Sequence, residues 1–580
     1  MLRSSSRLRV LAALRILSRA GIRTVATAGS VVKFALTAKH VNNNVSVAAG
    51  AGGNGGTLGG TGGNGGSVDS PIFKAGTIGS SLDVTGGFGG RAVSASNAGF
   101  RASVKNAVIT ASYLGGAAIV GGAGGASING DAGIGGNVEG TKITSPFVGG
   151  AVNVTAGNGG FATGSGDGGA GGALTKTSFT AANSLGGNIG FFAGNGGSTN
   201  SGLGGVGGSV IGSSVSAGRV AGNVNMVTGN GGDSANTAGG NAGALSSTSV
   251  AITQSVSTVS LSGGEGGDAR TTGGHGSTIG GVTLKLNLFQ DINISGGDGG
   301  GSGTPFVAGN GGAVSGVTIS GNADDADVKI SAGHGGRGIS SGANVGPAGG
   351  AISGVALKAP FAFVELYSGG GGESTSAVGG AGGSISKISG IIGRGILDAG
   401  RGGNSVNGNG GNGGIVSDSA FTATQALLRA QAGDGGSSTN SSKGNGGDVL
   451  RLKIAGDIGN FAQFFGTDVV KMGGLIAGLG NVNGSVANIT AKRIAAIYAG
   501  DQIGTINSNA YVTSISNITA SVIGADLDGD DTFDFTDVGT AGFFPSTGDT
   551  AIDGFVFVIA SGFDEDTVSV APLRVVTATL

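Results

Sequence analysis

The stretch Gly311-Gly312-Ala313-Val314, followed by Val317-Thr318-Ile319, Val328-Lys329-Ile330 and Ala332-Gly333-His334-Gly335-Gly336, decides the fold. Val317-x-Ile319 and Val328-x-Ile330 alternate apolar and polar residues with period two, the signature of short strands with one buried face. A polar turn separates them, and a Gly-x-Gly-Gly phrase follows the second. The same order recurs at Gly349-Gly350-Ala351-Ile352, Val355-Ala356-Leu357 and Phe363-Val364-Glu365-Leu366, which ends at Gly369. Helix is excluded through these units, because each interior glycine costs about 1 kcal/mol relative to alanine.

Working outward, Gly-x-Gly-Gly begins at Gly53, Gly87, Gly122, Gly157, Gly194, Gly229, Gly264, Gly297, Gly333, Gly369, Gly400 and Gly433, at spacings of 31 to 37 residues. A fixed period of this size marks stacked units, none of which buries its apolar face alone. The reading is an all-β parallel β-helix, a β-solenoid of about 35-residue glycine-rich coils, in which each coil is an open sheet edge until the next one covers it. A second phrase stands about 11 residues after the first in many units, at Gly63, Gly133, Gly205, Gly380 and Gly444. The pairing predicts an out-and-back glycine excursion from each coil, stacked on its neighbours as polyproline-II-like strands.

The rhythm changes after residue 447. Ile454-Ala455-Gly456, Ile476-Ala477-Gly478 and Tyr498-Ala499-Gly500 recur 22 residues apart, which predicts plain 22-residue coils over 448–525 once the excursion is lost. The domain reading is therefore 1–45 as a basic leader or amino-terminal cap, 46–447 as glycine-rich solenoid, 448–525 as glycine-poor coils, and 526–580 as an acidic tail and β cap. In the first segment Arg7, Arg15, Arg19 and Arg23 fall on one helical stripe, and Ala26-Thr27-Ala28 is a small-residue cleavage site. An export leader and an amphipathic cap on the first coil both fit.

Composition narrows the function classes. Glycine supplies 133 residues, yet there is no three-residue glycine period and there are only 7 prolines, so collagen is excluded. With no cysteine there are neither disulfides nor thiolate metal sites. A pI near 5.9, no tryptophan and scattered basic residues argue against a nucleic-acid partner. No run of 18 apolar residues exists, so no transmembrane helix is expected. His40, His275 and His334 lie far apart and read as tolerated loop residues, and Asp324, Asp325 and Asp327 as a solvated turn.

The sharpest motif is Asp526-Leu527-Asp528-Gly529-Asp530-Asp531-Thr532-Phe533-Asp534-Phe535-Thr536-Asp537. Asp526, Asp528, Asp530, Asp534 and Asp537 take loop positions 1, 3, 5, 9 and 12, with the Thr532 carbonyl at position 7, a spacing that wraps hard oxygen ligands about one calcium ion. Asp531 stands where such loops turn on glycine. The stretch resembles the calcium loops of dockerin modules and of integrin-type FG-GAP repeats. Over residues 46–525 the chain resembles the glycine-rich β-strand-repeat proteins of bacterial envelopes and secretomes, autotransporter-like and planctomycete-type. That resemblance implies a non-enzymatic, secreted or cell-surface structural or adhesive protein, with a polysaccharide or another matrix component as partner. The alternative is a carbohydrate-active enzyme, a polysaccharide lyase or hydrolase on a β-helix. It requires carboxylates, or an Asp/Arg/Lys cluster, converging from adjacent coils. A third class, ice binding, requires a flat Thr-x-Thr array, and no such register is visible.

Overall fold

The computed structural model describes residues 29–492 apart from 56–59, 94–96, 101, 304–306, 323–325, 339–344 and 460–473. Beyond that range it describes the backbone of Ala13–Arg15, Val25–Ala26, Arg493–Ile494, Ile497–Ala499, Ile515–Thr519 and Val558–Ala560. The chain divides into two compact units, Met1–Ala313 and Val314–Leu580. Both are built from strands stacked in parallel as a β-solenoid, about 12 turns in all, and no helix occurs among the described residues.

One coil of the first unit shows how the sequence builds it. A two-residue strand, Leu174–Thr175, ends at a corner and is followed by a first wall, Ser178–Leu185, and a second wall, Ile189–Phe192. The chain then leaves the walls for the glycine excursion and returns to start the next coil at Val210–Ile211. Alternation points every second residue inward: Leu174, Phe179, Ala181, Leu185, Ile189 and Phe191 are all buried. Parallel register places like on like. Ile143, Phe179, Val215, Val250 and Leu284 form one inward ladder, and Val154, Phe191, Met226, Leu261 and Ile294 another. Each such side chain contributes about 1.5–3 kcal/mol by leaving water. This is the core that a single coil cannot make.

In the second unit the corner-strand ladder runs Val314, Ile352, Ile385, Val416, Val449, Val486 and Ile515 without a break at residue 448. The glycine-poor segment is thus a continuation of the same stack. Its expected 22-residue period is only partly realised. Leu475 and Ile476 do pair with Ile497 and Tyr498, 22 residues on. Ile454, however, stands opposite Phe421 on the first wall, whereas Ile476 stands opposite Gln431 at the end of the second. The two isoleucines occupy different walls, so their 22-residue separation is the path across one coil and not a stacking step. What does shrink is the excursion: Gly484 donates directly to Gly478, six residues back, where the preceding coil spans Gly433 to Gly447.

In each coil the residue two places after the apolar residue of the corner ladder, such as Leu174 or Val416, has a left-handed backbone. All nine non-glycine residues with positive φ among the described residues sit there, with φ of 50° to 57°: Lys33, Ser70, Asn106, Lys176, Ser247, Lys387, Asp418, Arg451 and Asn488. Gly140, Gly212, Gly281, Gly316 and Gly354 take the equivalent place in other coils. Side chains in this region cost about 1–2 kcal/mol each, a strain that the wall ladders on either side hold in place.

Candidate functional site

The glycine excursion is the most distinctive surface of the chain, and its geometry follows from hydrogen-bond accounting. Take residues 193–210. The N–H groups of Ala193, Gly196 and Thr199 donate to Val227, Asn230 and Asp233 of the next coil, at 2.8–2.9 Å. Those of Gly194 and Gly197 donate to Gly172 and Gly169 on the return strand of the previous coil. On the way back, Gly204, Gly207 and Val210 donate to the next coil, while Gly205 and Gly208 donate to Gly197 and Gly194 of their own. The direction repeats every three residues, the period of a polyproline-II helix, which has no internal hydrogen bonds and must spend its N–H groups on neighbours. The out-and-back pairs therefore form an ordered two-layer sandwich.

Close approach sets the residue type. A Cβ built on Gly197 lies 1.7 Å from the Gly160 carbonyl oxygen, and one on Gly205 lies 2.1 Å from that of Gly169. The inward ladders are glycine with a few small or compact exceptions such as Ala102, Ser277 and Pro347, while long side chains stand at the outward third position, the x of Gly-x-Gly-Gly. Its own N–H faces outward too, and a side chain one coil earlier caps it. Asn195 N–H donates to Asn158 Oδ1 at 2.8 Å, Asn230 N–H to Asn195 Oδ1 at 3.0 Å, and Glu265 N–H to Asn230 Oδ1 at 3.0 Å. On the return layer Asp131 and Asp167 serve Asp167 N–H and Leu203 N–H in the same way. The excursion tips close on hydroxyls, as where Gly130 N–H donates to Ser127 Oγ and Gly202 N–H to Thr199 Oγ1.

Two of the three histidines join this scheme. The backbone N–H of Asn310 donates to His275 Nδ1 at 3.0 Å, and that of Gly370 to His334 Nδ1 at 2.8 Å. Read from sequence as tolerated loop residues, they stand as caps at two outward positions. His40 is exposed on Ala35–Val41.

Charge gathers at one place in the second unit, where the second wall passes into the glycine layer. A cleft of about 650 Å³ is lined by Lys329 and His334, by Tyr367 and Glu373 one coil on, and by Asp398 and Arg401 one coil further. Arg429 grips Asp398 with both arms, Nε to Oδ1 at 2.9 Å and Nη2 to Oδ2. Tyr367 Oη donates to Glu365 Oε1 at 2.9 Å, and the Lys329 ammonium lies 5.4 Å from the centre of the tyrosine ring. Burial, then the bond to Glu365, then the negative charges of Glu365 and Asp398 push the phenol up to about 12, against a smaller opposing effect of Arg429. Apart from His334, none of these residues was weighed from sequence as a functional candidate. The available signal was a coil-length separation between opposite charges, 31 residues for Asp398 and Arg429.

The predicted calcium ligands Asp526, Asp528, Asp530, Thr532, Asp534 and Asp537 lie outside the described residues, as do Asp324 and Asp325; Asp327 is exposed at the start of Asp327–Ser331. Among the described residues no group of three His, Asp or Glu side chains is placed to hold a metal ion, and no helix is long and apolar enough to cross a membrane. No protein-family model, curated protein or solved structure matches the chain.

Proposed function

We propose that this is a non-enzymatic structural or adhesive repeat protein, secreted or held at the cell surface, with a polysaccharide or another matrix component as partner. The observation that carries the reading is the cap ladder. Polar side chains at the outward positions, Asn158, Asn195 and Asn230 among them, accept hydrogen bonds from the next coil's backbone. Polar residues spent this way tie each coil to the next, and stacked coils present an extended binding surface. The enzyme reading draws support from the lateral cleft, where charges from adjacent coils converge as a carbohydrate-active site requires. Of the two carboxylates that line the cleft, Glu373 and Asp398, the second is gripped by Arg429, which favours binding over paired acid–base work.

Co-sedimentation of the full chain with insoluble polysaccharides, with the supernatant assayed for reducing ends and unsaturated uronides, separates the two. Retention without new products is expected; released oligosaccharide would overturn the reading in favour of a lyase or hydrolase. Calcium at the 526–537 loop belongs to the same proposal. Asp528→Ala is expected to abolish a calcium-dependent rise in melting temperature, and an unchanged rise would remove the ion from that loop.

A further inference from the structure

We infer that the cleft of the second unit is a subsite for one carboxylate- or sulfate-bearing sugar residue of an acidic polysaccharide. The inference rests on the adhesive reading only for its class of partner; the geometry supplies the rest. His334, Gly370 and Arg401 occupy the same outward position in three successive coils, since Gly335 N–H donates to the Gly370 carbonyl and Gly371 N–H to that of Arg401. Gly370 carries no side chain there, so a gap opens between an imidazole and a guanidinium. Tyr367, at the end of the second wall, closes its side, and Glu373, one three-residue step along the glycine strand, forms its rim.

The floor offers few donors of its own. The N–H groups of Gly371, Gly402 and Gly403 are bonded to the carbonyls of Arg401, Asp434 and Gly380, and that of Gly370 to His334 Nδ1. Recognition therefore falls to side chains. Asp398 is neutralised by Arg429, and Glu365 is turned to the tyrosine hydroxyl. Two cations remain over the gap, Lys329, held above the Tyr367 ring, and Arg401, against one carboxylate, Glu373. Among the described residues neither Arg401 nor Glu373 is in an ion pair. The balance favours an anion. A guanidinium fork matches the two oxygens of a carboxylate or sulfate, and the Glu373 oxygens suit the hydroxyls of the sugar that carries it. A volume of about 650 Å³ admits such a group, being inside the range of roughly 300–1,000 Å³ for small-ligand clefts.

The test is titration of the full chain with polygalacturonate, dextran sulfate and neutral dextran, for the parent protein and for Arg401→Glu and Lys329→Gln made separately. Both substitutions are at exposed positions, and a melting curve for each checks the fold. The parent is expected to bind at least one polyanion, with affinity that falls as salt rises, and to prefer it to dextran. Arg401→Glu is expected to weaken binding about tenfold or more, equivalent to about 1.4 kcal/mol, and Lys329→Gln less. Binding of polygalacturonate alone assigns the carboxylate, and binding of both polyanions the shared anion chemistry. Undiminished binding by both folded variants, or equal binding of dextran, overturns the cleft and leaves adhesion standing. Failure to retain any polysaccharide overturns both.

Discussion

The walls and the glycine sandwich of the first unit are made by the same coils and held together by opposite means. The walls cohere through side chains: Phe179, Phe191 and Leu185 interlock with their equivalents above and below, and the backbone ladder follows. The sandwich has almost no side chains inside it. Backbone meets backbone at hydrogen-bond distance in two directions, and a third direction is closed by Asn, Asp and His caps. The comparison teaches that a stable layer needs no apolar core if every N–H finds an acceptor and nothing larger than hydrogen stands between the strands.

Substitutions that exchange the two rules test it. Phe179→Ala empties a fully buried site in the first wall and is expected to cost roughly 3–5 kcal/mol, read as lost hydrogen-exchange protection in the coils on both sides. Gly197→Ala adds one methyl where the Gly160 carbonyl already lies. Overpacking of this kind costs about 1–3 kcal/mol, sometimes more. Faster exchange of Gly194 and Gly205 amides would report it, and unchanged protection would break the claim that the sandwich is close-packed. Alanine is thus expected to be harmful in both layers for contrary reasons, a lost ring in one and a gained methyl in the other.

A smaller effect runs the other way. Thr141, Thr177 and Thr248, each next to the left-handed corner, are buried with hydroxyls that have no hydrogen-bond partner. Val282, Val317 and Val355 fill the equivalent position in other coils. An orphaned buried hydroxyl costs about 1–3 kcal/mol. Thr177→Val is therefore expected to stabilise the first unit by about 1 kcal/mol, seen as a higher melting temperature; a lower one would mean the hydroxyl has a partner after all.

The subtlest test lies at the junction of wall and sandwich in the second unit. Burial and the Glu365 carboxylate push the Tyr367 phenol up to about 12. A pKa raised by folding means that the phenol's contribution to stability is whole below pH 10 and is lost as pH rises towards 12. A phenolate absorbance step near pH 12 is expected, and Tyr367→Phe should remove it. A step that survives belongs to another residue.

Much of the architecture was legible because repetition amplifies weak signals. Period-two alternation in Val317-x-Ile319 says little alone, but twelve copies in register with a glycine phrase leave a solenoid as the consistent reading, and the paired phrases at Gly194 and Gly205 foretold the out-and-back layer. The 22-residue period misled because Ile454-Ala455-Gly456 and Ile476-Ala477-Gly478 look alike while lying on different walls. Local similarity carries no information about which strand a residue will face. The cleft escaped notice for a related reason. Lys329, Tyr367, Asp398 and Arg401 are scattered along some 70 residues and meet only because one coil returns the chain above the last.

By itself, then, the sequence determined the β class, the coil length of the glycine-rich part and most of the positions that need glycine, since these follow from alternation, period and the size of a hydrogen atom. Tertiary structure alone decided the rest. Lys176 and Arg451 adopt left-handed corners because stacked neighbours on both sides impose them, against the preference of the residues. Asn158, Asn195 and Asn230, each the x of a glycine phrase, became caps because the orphan N–H that each serves belongs to the next coil, about 35 residues away. Register between coils is what turns a list of similar segments into particular contacts, and register is settled only when every coil has buried its apolar residues against the next.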